Sequence, residues 1–256
     1  MEKQRVEGLV SVIVPVYNAE RVIERTIRSV QAQSYQNWEL IMVDDCASDN
    51  SASLIGRMAL ADIRIKYFKL EQNSGAAVAR NRGLAEARGR YVAFLDADDC
   101  WLADKLRREL DLMHERDCAF VYTATQMVDE DDRPLCAYTP VPEWTDYRHL
   151  LKRTVIATST VLLDMEKVGD FSMPLRRSGQ DYATWLLLLR RIDRAYGINE
   201  PLALYRISRN SLSSNKLKSV RQVYEIQTRN EGLNPVYAAW NTLFFCLYAF
   251  KKHFLK

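Results

Sequence analysis

Glycine and histidine are scarce in this 256-residue chain, nine of the first and three of the second, and each shortage removes a class of chemistry. No G-x-G-x-x-G follows the first apolar run and no G-x-x-x-x-G-K-[ST] occurs, so neither a classical dinucleotide turn nor a P-loop is available to cradle phosphate. His114 and His149 fall on helical surface patterns and His253 lies near the terminus, which leaves no histidine to read as catalytic. The five cysteines (Cys46, Cys100, Cys118, Cys136, Cys246) are odd in number, without close pairs or zinc-type Cys/His spacing, and are read as reduced thiols of a cytoplasmic protein. Residues 1–8 are polar and charged, so no signal peptide is expected. A net charge of +3, with no Lys/Arg run interleaved with aromatics over the first two hundred residues, argues against nucleic acid as a partner. With 48% hydrophobic and 27% charged residues, disorder is excluded too.

What the chain does have is a buried strand tipped with acid. Residues 91–95 are mostly apolar, and Asp96, Asp98 and Asp99 follow where the strand should emerge. Carboxylates this close repel one another and call for a cation, an Arg or a shared proton. Asp96 and Asp98 lie on one side of an extended segment, about 7 Å apart by strand rise, which suits an oxygen-ligated, partly hydrated Mg²⁺ or Mn²⁺. The plainer alternative makes Asp99 the N-cap of a helix beginning near Leu102.

The flanking segments alternate strand and helix. Residues 9–17 form a continuous apolar run, the pattern of a parallel strand covered on both faces, and Pro15 is expected to end it, leaving Tyr17 and Asn18 in a loop. Residues 20–33 repeat apolar positions with helical period, residues 39–43 are a second buried strand, and Asp44 and Asp45 open its carboxyl-end loop. A helix over 51–61 and a strand over 63–70 follow. Asn73, Ser74 and Gly75 then open a helix whose free amides, with Arg80 and Arg82, offer an anion site suited to phosphate; a plain surface helix is the alternative. Strand-helix alternation with polar loops at strand carboxyl ends predicts an open α/β sheet, Rossmann-like and mostly parallel, with helices on both faces and a ligand crevice along that edge.

Four segments, residues 11–18, 43–49, 73–83 and 94–99, together resemble the signature set of family 2 glycosyltransferases with the GT-A fold. The resemblance implies a nucleotide-sugar transferase that uses a UDP-sugar and a catalytic Mn²⁺ or Mg²⁺. By motif position it implies that Tyr17 packs on uracil, that Asp45 bonds the ring with Asp44 supporting that loop, and that Arg80 approaches the uracil or diphosphate. Pro15, Asn18, Asn73 and Gly75 belong to the same nucleotide-binding loops. Asp96 and Asp98 become the D-x-D pair, contacting ribose and metal.

The second half supplies the acceptor side. Residues 120–128 and 156–163 read as strands, and residues 129–132 as a solvated acidic hairpin. At 177–190 a glycine precedes an acid that opens a strongly apolar helix, aiming Asp181 away from the packed face. The resemblance makes Asp181 the general base, with Gln180 in place of the family's usual Glu. A dipole-stabilised helix acid is the alternative. Residues 202–213 resemble the family's post-catalytic loop with Ser208 where His is common, so that Arg206, Arg209 and Ser211 are left to reach the leaving group.

The tail changes character. Residues 236–250 are apolar nearly all round but interrupted by Asn241 and Thr242, and residues 251–256 are basic. The run is short for a span and fits an interfacial helix at an anionic membrane, or a helix packed on the core or on a second copy. Residues 1–214 are expected to form the transferase domain, 1–99 its nucleotide half and 100–214 its acceptor half, and 215–256 a helical tail. The expected activity is inverting transfer of one sugar from a UDP-sugar to a saccharide acceptor, lipid-linked or free, in O-antigen or capsule synthesis at the inner face of the cell membrane. A nucleotidyltransferase would want a glycine-and-lysine-rich loop after the first strand, and a non-catalytic binding protein has no need of both Asp98 and Asp181.

Overall fold

The computed structural model describes residues 4–129, 132–135, 137–207 and 216–254. The first half repeats strand and helix: β1 (Val6–Val16), α1 (Ile23–Gln31), β2 (Trp38–Asp44), α2 (Ser51–Ala61), β3 (Ile65–Lys69), α3 (Ala76–Glu86) and β4 (Gly89–Phe94). Then come β5 (Cys100–Trp101), α4 (Lys105–Glu115), β6 (Phe120–Val128), β7 (Trp144–Thr145), α5 (Tyr147–Leu150), β8 (Val161–Asp164), α6 (Met165–Val168), α7 (Gln180–Leu189) and β9 (Ala195–Arg206). Two helices, α8 (Lys216–Glu225) and α9 (Pro235–Phe254), are joined through a π-helical turn at Ile226–Asn230.

The described strands form one sheet in the order β3-β2-β1-β4-β8-β6-β9-β5, with β7 added against β9. The expected parallel arrangement holds across β3, β2, β1 and β4. Beyond β4 the sheet is mixed, because β8 runs antiparallel to both β4 and β6. Apolar residues of β1 alternate between two cores. Val10, Val12, Val14 and Val16 face α1, α2 and α4 on one side, whereas Ile13 faces α3 and α7 on the other. This two-sided burial is why the run reads as unbroken apolar sequence.

Three local expectations are corrected. β1 does not stop at Pro15 but continues through it to Val16 against β2. Leu95 N–H donates to Ile13 O and Asp45 N–H to Val16 O, so the nitrogen of Pro15 points to the side where β4 has already ended and no ladder bond is lost. Asp99 does not cap a helix: α4 begins at Lys105 after Asp104, and Asp99 is buried elsewhere. The strand expected over 156–163 is shorter, since Thr158–Thr160 form a 3₁₀ turn before β8.

Glu39, inside β2, is buried, which its place in an apolar run did not announce. Ser11 Oγ (2.7 Å) and the Arg88 N–H (2.8 Å) donate to one carboxylate oxygen, and Lys66 Nζ (2.5 Å) and Arg88 Nε (3.1 Å) to the other. Burial alone would raise its pKa, but the bonds from Lys66, Ser11 and Arg88 win and hold it at about 2. A carboxylate depressed in the fold contributes stability above its ordinary pKa, lost as pH falls toward 2. Glu39→Gln is expected to remove on the order of 2 kcal/mol at neutral pH, after allowance for solvent at the Lys66 and Arg88 side chains, and almost nothing near pH 2. Urea melts at the two pH values check this, and an equal loss at both would contradict it.

Candidate active site

The carboxyl ends of β1, β2 and β4 open on a cavity of about 850 Å³, whose far side is built by α7 and α8. On the near side, Pro15, exposed Tyr17, Asp45, Asn73, Gly75 and Arg80 share the wall with Asp96 and Asp98. Asn18 and Asp44 stand behind that wall as struts. Asn18, with φ 49°, accepts the Ser48 N–H at 2.9 Å and ties the β1 loop to the β2 loop. Asp44 is fully buried and accepts from the Ala47 N–H (2.7 Å) and the Tyr67 hydroxyl (2.5 Å).

Two of the amides that lead into α3 are already taken. Ser74 and Gly75 donate their N–H groups to the two carboxylate oxygens of Asp45, at 2.6 and 2.7 Å, so these two amides are held by Asp45 instead of being left for the phosphate expected from the sequence. Gly75 adopts φ +90°, which only glycine takes without strain. Each Asp45 oxygen keeps a lone pair for a ligand.

Arg80 is the positive group on this wall. Its side chain is only 5% exposed, and one terminal nitrogen pairs with Asp96. Its Nε and second terminal nitrogen are buried with no hydrogen-bond partner among the described residues. Orphaned donors of this kind are rare in a finished core and mark a place where a ligand completes the bonding.

The acidic loop is braced from two directions. Asp96 N–H donates to Ser159 Oγ (3.1 Å), which donates in turn to Asp99 (2.5 Å). The Arg206 N–H donates to the other Asp99 oxygen at 3.1 Å, and its guanidinium holds Asp98 O (3.0 Å) and Asp132 (2.5 Å). The turn expected to be only a solvated hairpin thus contributes Asp132 as a partner for Arg206. Asp98 is exposed to the cavity, yet desolvation by the protein around it, then the charge of Asp96, pushes its carboxyl above its usual range. Asp99 is pushed further by burial and then by both neighbours. Sequence reasoning missed Ser159 and the bracing role of Asp99; three successive hydroxyl residues, Thr158 to Thr160, inside an apolar stretch were the available signal.

Across the cavity, Gly179 takes φ +71°, the left-handed region that favours glycine, beside the amide end of the Gln222 side chain. Asp181 follows in the first turn of α7, lines the cavity and accepts from Thr158 Oγ1 at 3.2 Å. Trp185, one turn on, packs its ring 5.9 Å from that of Phe94 and 5.4 Å from that of Phe120, clamping α7 to the strand that ends in the acids. Gln180 Oε1 and Trp185 Nε1 are also buried without partners among the described residues, on the wall beside Asp181. Ser208, Arg209 and Ser211 lie outside the described residues.

The glycosyl transferase family 2 model matches residues 11–161, the stretch that carries the near wall of the cavity and the acidic loop. The chain belongs to that family. It is a glycosyltransferase, and relatives extend the match over the acceptor side. TuaG of Bacillus subtilis, named for teichuronic acid biosynthesis, is 46% identical over 95% of this chain and 97% of its own length. WfgD of Escherichia coli, named as a UDP-Glc:α-D-GlcNAc-diphosphoundecaprenol β-1,3-glucosyltransferase, is 35% identical over 96% and 95%. Among solved structures, S. aureus TarS 1–349 in complex with UDP-GlcNAc superposes with a TM-score of 0.71 at 20% identity, covering 93% of this chain and 71% of that one. The mannosyltransferase PcManGT of Pyrobaculum calidifontis, in complex with GDP-Man and Mn²⁺, gives 0.66 at 16%, covering 93% and 73%. At such identities the likeness is one of fold, and it establishes the GT-A architecture of this family 2 enzyme.

Proposed function

We propose that this glycosyltransferase moves one sugar, with inversion, from a UDP-sugar to a hydroxyl of a lipid-linked saccharide in cell-surface polysaccharide assembly. The observation that carries the reading is Arg80, a buried guanidinium with two unmet donors on the wall of a nucleotide-sized cavity. A diphosphate meets that need with paired acceptor oxygens. The UDP-GlcNAc bound by TarS and the donor and acceptor in the name of WfgD support the choice of UDP and of a diphosphate-lipid acceptor.

The acidic loop fits a divalent ion. Among the described residues there is no cluster of three His, Cys, Asp or Glu that could enclose one, so the protein offers Asp98, with Asp96 beside it, and leaves the remaining positions to substrate oxygens and water. Asp98 is a carboxylate whose ionised form the fold disfavours, and a cation offsets that cost. Such an ion supplies positive charge for the departing diphosphate. Asp181 takes the acceptor hydroxyl's proton as that oxygen attacks the anomeric carbon, and the bond to the diphosphate breaks on the opposite face beside Arg80. Base and leaving group on opposite walls give single-displacement inversion.

The tail supports a position at the cytoplasmic membrane surface. No helix among the described residues is long and apolar enough to cross a membrane, yet α9 is packed the wrong way round for a soluble helix. Asn241 and Thr242 are buried, with Asn241 Nδ2 donating to Gln227 at 3.1 Å, whereas Val236, Trp240, Leu243, Leu247 and Phe250 are exposed along one stripe. With lysines 251, 252 and 256 following, that stripe suits an anionic bilayer. Leu243→Glu with Leu247→Glu is expected to abolish flotation with phosphatidylglycerol vesicles; flotation unaffected by the pair would remove this part of the reading.

The experiment for the function is a donor panel with Mn²⁺: UDP-glucose, UDP-galactose, their N-acetylated forms, and dTDP- and GDP-sugars, followed by melting temperature and UDP release. Metal-dependent stabilisation and slow UDP release from one donor are expected, with affinity about 10- to 100-fold weaker in Arg80→Gln. No response to any nucleotide would refute the proposal.

A further inference from the structure

The acceptor half of the cavity does not end at Asp181. It continues to Val223 of α8 and Phe245 of α9, so the wall of the reaction chamber includes the helix that carries the exposed apolar stripe. Three residues beyond Phe245, about 4.5 Å along the helix axis, Tyr248 holds the guanidinium of Arg153 at 3.4 Å from its ring centroid. Lys152 Nζ sits 5.5 Å from the ring of Phe244 on the same helix. Thr154, next in the chain, lines the cavity, as does exposed Arg177.

Among the described residues no carboxylate pairs with Lys152, Arg153 or Arg177, although most other arginines of the chain are engaged with acids. Arg153 is half-buried, and that burial pulls its guanidinium below the usual value with nothing opposing it. A guanidinium stacked on an aromatic ring keeps its in-plane N–H groups free and pre-aimed, the form in which arginine grips phosphate. The cavity that holds the Asp181 carboxylate is therefore flanked, through Thr154 and Phe245, by residues 152 and 153 and by the helix that carries the exposed hydrocarbon.

We propose that Arg153, fixed by Tyr248 and assisted by Lys152 and Arg177, binds the diphosphate of a prenyl-diphosphate-linked acceptor. This phosphate subsite is separate from that of Arg80, and the prenyl chain leaves it along α9. The inference rests on the lipid-linked acceptor reading above. It makes Arg153 an acceptor-affinity residue that donor binding does not use.

The test uses the full chain with saturating UDP and Mn²⁺, so that the donor phosphate site is filled. Farnesyl diphosphate, farnesol and inorganic pyrophosphate are titrated calorimetrically against wild type, Arg153→Gln, Arg153→Lys and Tyr248→Leu. Farnesyl diphosphate is expected to bind at least ten times more tightly than either control. Arg153→Gln should erase that advantage, Tyr248→Leu reduce it several-fold, and Arg153→Lys restore part of it, with UDP affinity and melting temperature unchanged throughout. Pyrophosphate binding as tightly as farnesyl diphosphate would assign the site to free phosphate and overturn the lipid assignment. Farnesyl diphosphate affinity insensitive to Arg153→Gln would overturn the subsite itself, as would a variant that loses flotation on phosphatidylglycerol vesicles while keeping farnesyl diphosphate, since Arg153 would then serve bulk headgroups. Wild-type protein that ignores UDP in the preceding titration fails the donor reading instead, so the two failures are distinguishable.

Discussion

Asp181→Asn is expected to lower turnover by about 10³-fold while leaving UDP affinity within a factor of two of wild type. The substitution keeps shape and retains an oxygen to accept from Thr158 Oγ1, which donates to Asp181 at 3.2 Å. What it removes is the ability to take a proton. The helix start loses one favourable charge, about 0.3–1 kcal/mol at an N-terminus, so the melting temperature should move little. In the proposed reading uracil and diphosphate sit against Asp45 and Arg80, to which Asp181 makes no hydrogen bond, hence the expected separation of kcat from donor affinity. Single-turnover transfer and a UDP titration on the same preparation measure the two quantities. An equal loss of both would make Asp181 a structural or donor-binding group.

Asp98→Asn should act in opposite directions on fold and function. In the protein alone, desolvation by the surrounding loop and then the neighbouring charge of Asp96 disfavour the ionised Asp98 carboxyl, although the residue is exposed to the cavity. A carboxyl whose folded pKa is raised lowers stability as pH climbs from its ordinary pKa toward the raised one, because there the unfolded chain has already released a proton that the fold retains. The neutral amide removes that cost, and unliganded Asp98→Asn is expected to melt at or above the wild-type temperature near neutral pH. Mn²⁺ should raise the wild-type melting temperature in the presence of UDP, more at neutral pH than at about pH 4, where proton and metal compete for the same oxygens. The variant should show no Mn²⁺-dependent gain and no transfer. Wild-type stabilisation by Mn²⁺ that persists in Asp98→Asn would place the ion elsewhere.

Much of the near wall of the cavity was legible because its grammar is local. Apolar strands ending in acids, at Val43 to Asp45 and at Leu95 to Asp98, needed only burial on both faces and a polar exit to be read. The same locality explains the errors. The amides of Ser74 and Gly75 looked free because their competitor, Asp45, lies 29 and 30 residues away in the chain. Asn241 and Thr242 looked like a break in an apolar run, and they are the buried face of α9, since Gln227 supplies a polar partner inside. Arg206 was expected to meet the nucleotide from a loop. It lines the cavity, but its backbone and guanidinium are bonded to Asp99, Asp98 and Asp132, contacts that span more than seventy residues. Strand order beyond β4, with β8 inserted antiparallel, was equally beyond a reading of periodicity.

The bracing of the acidic loop has a bearing on how the enzyme comes into being on the ribosome. β1 through β4 pair using residues 6–94 only, so this half has short-range partners for early collapse. The loop that follows it receives its last support from Arg206, 107 residues after Asp99. A nascent chain shorter than that holds the acids without the strand that orients them. A carboxyl-truncated chain that lacks β9 would present Asp96 and Asp98 without the support of Arg206, so the braced geometry of the acidic loop depends on a strand made more than a hundred residues later.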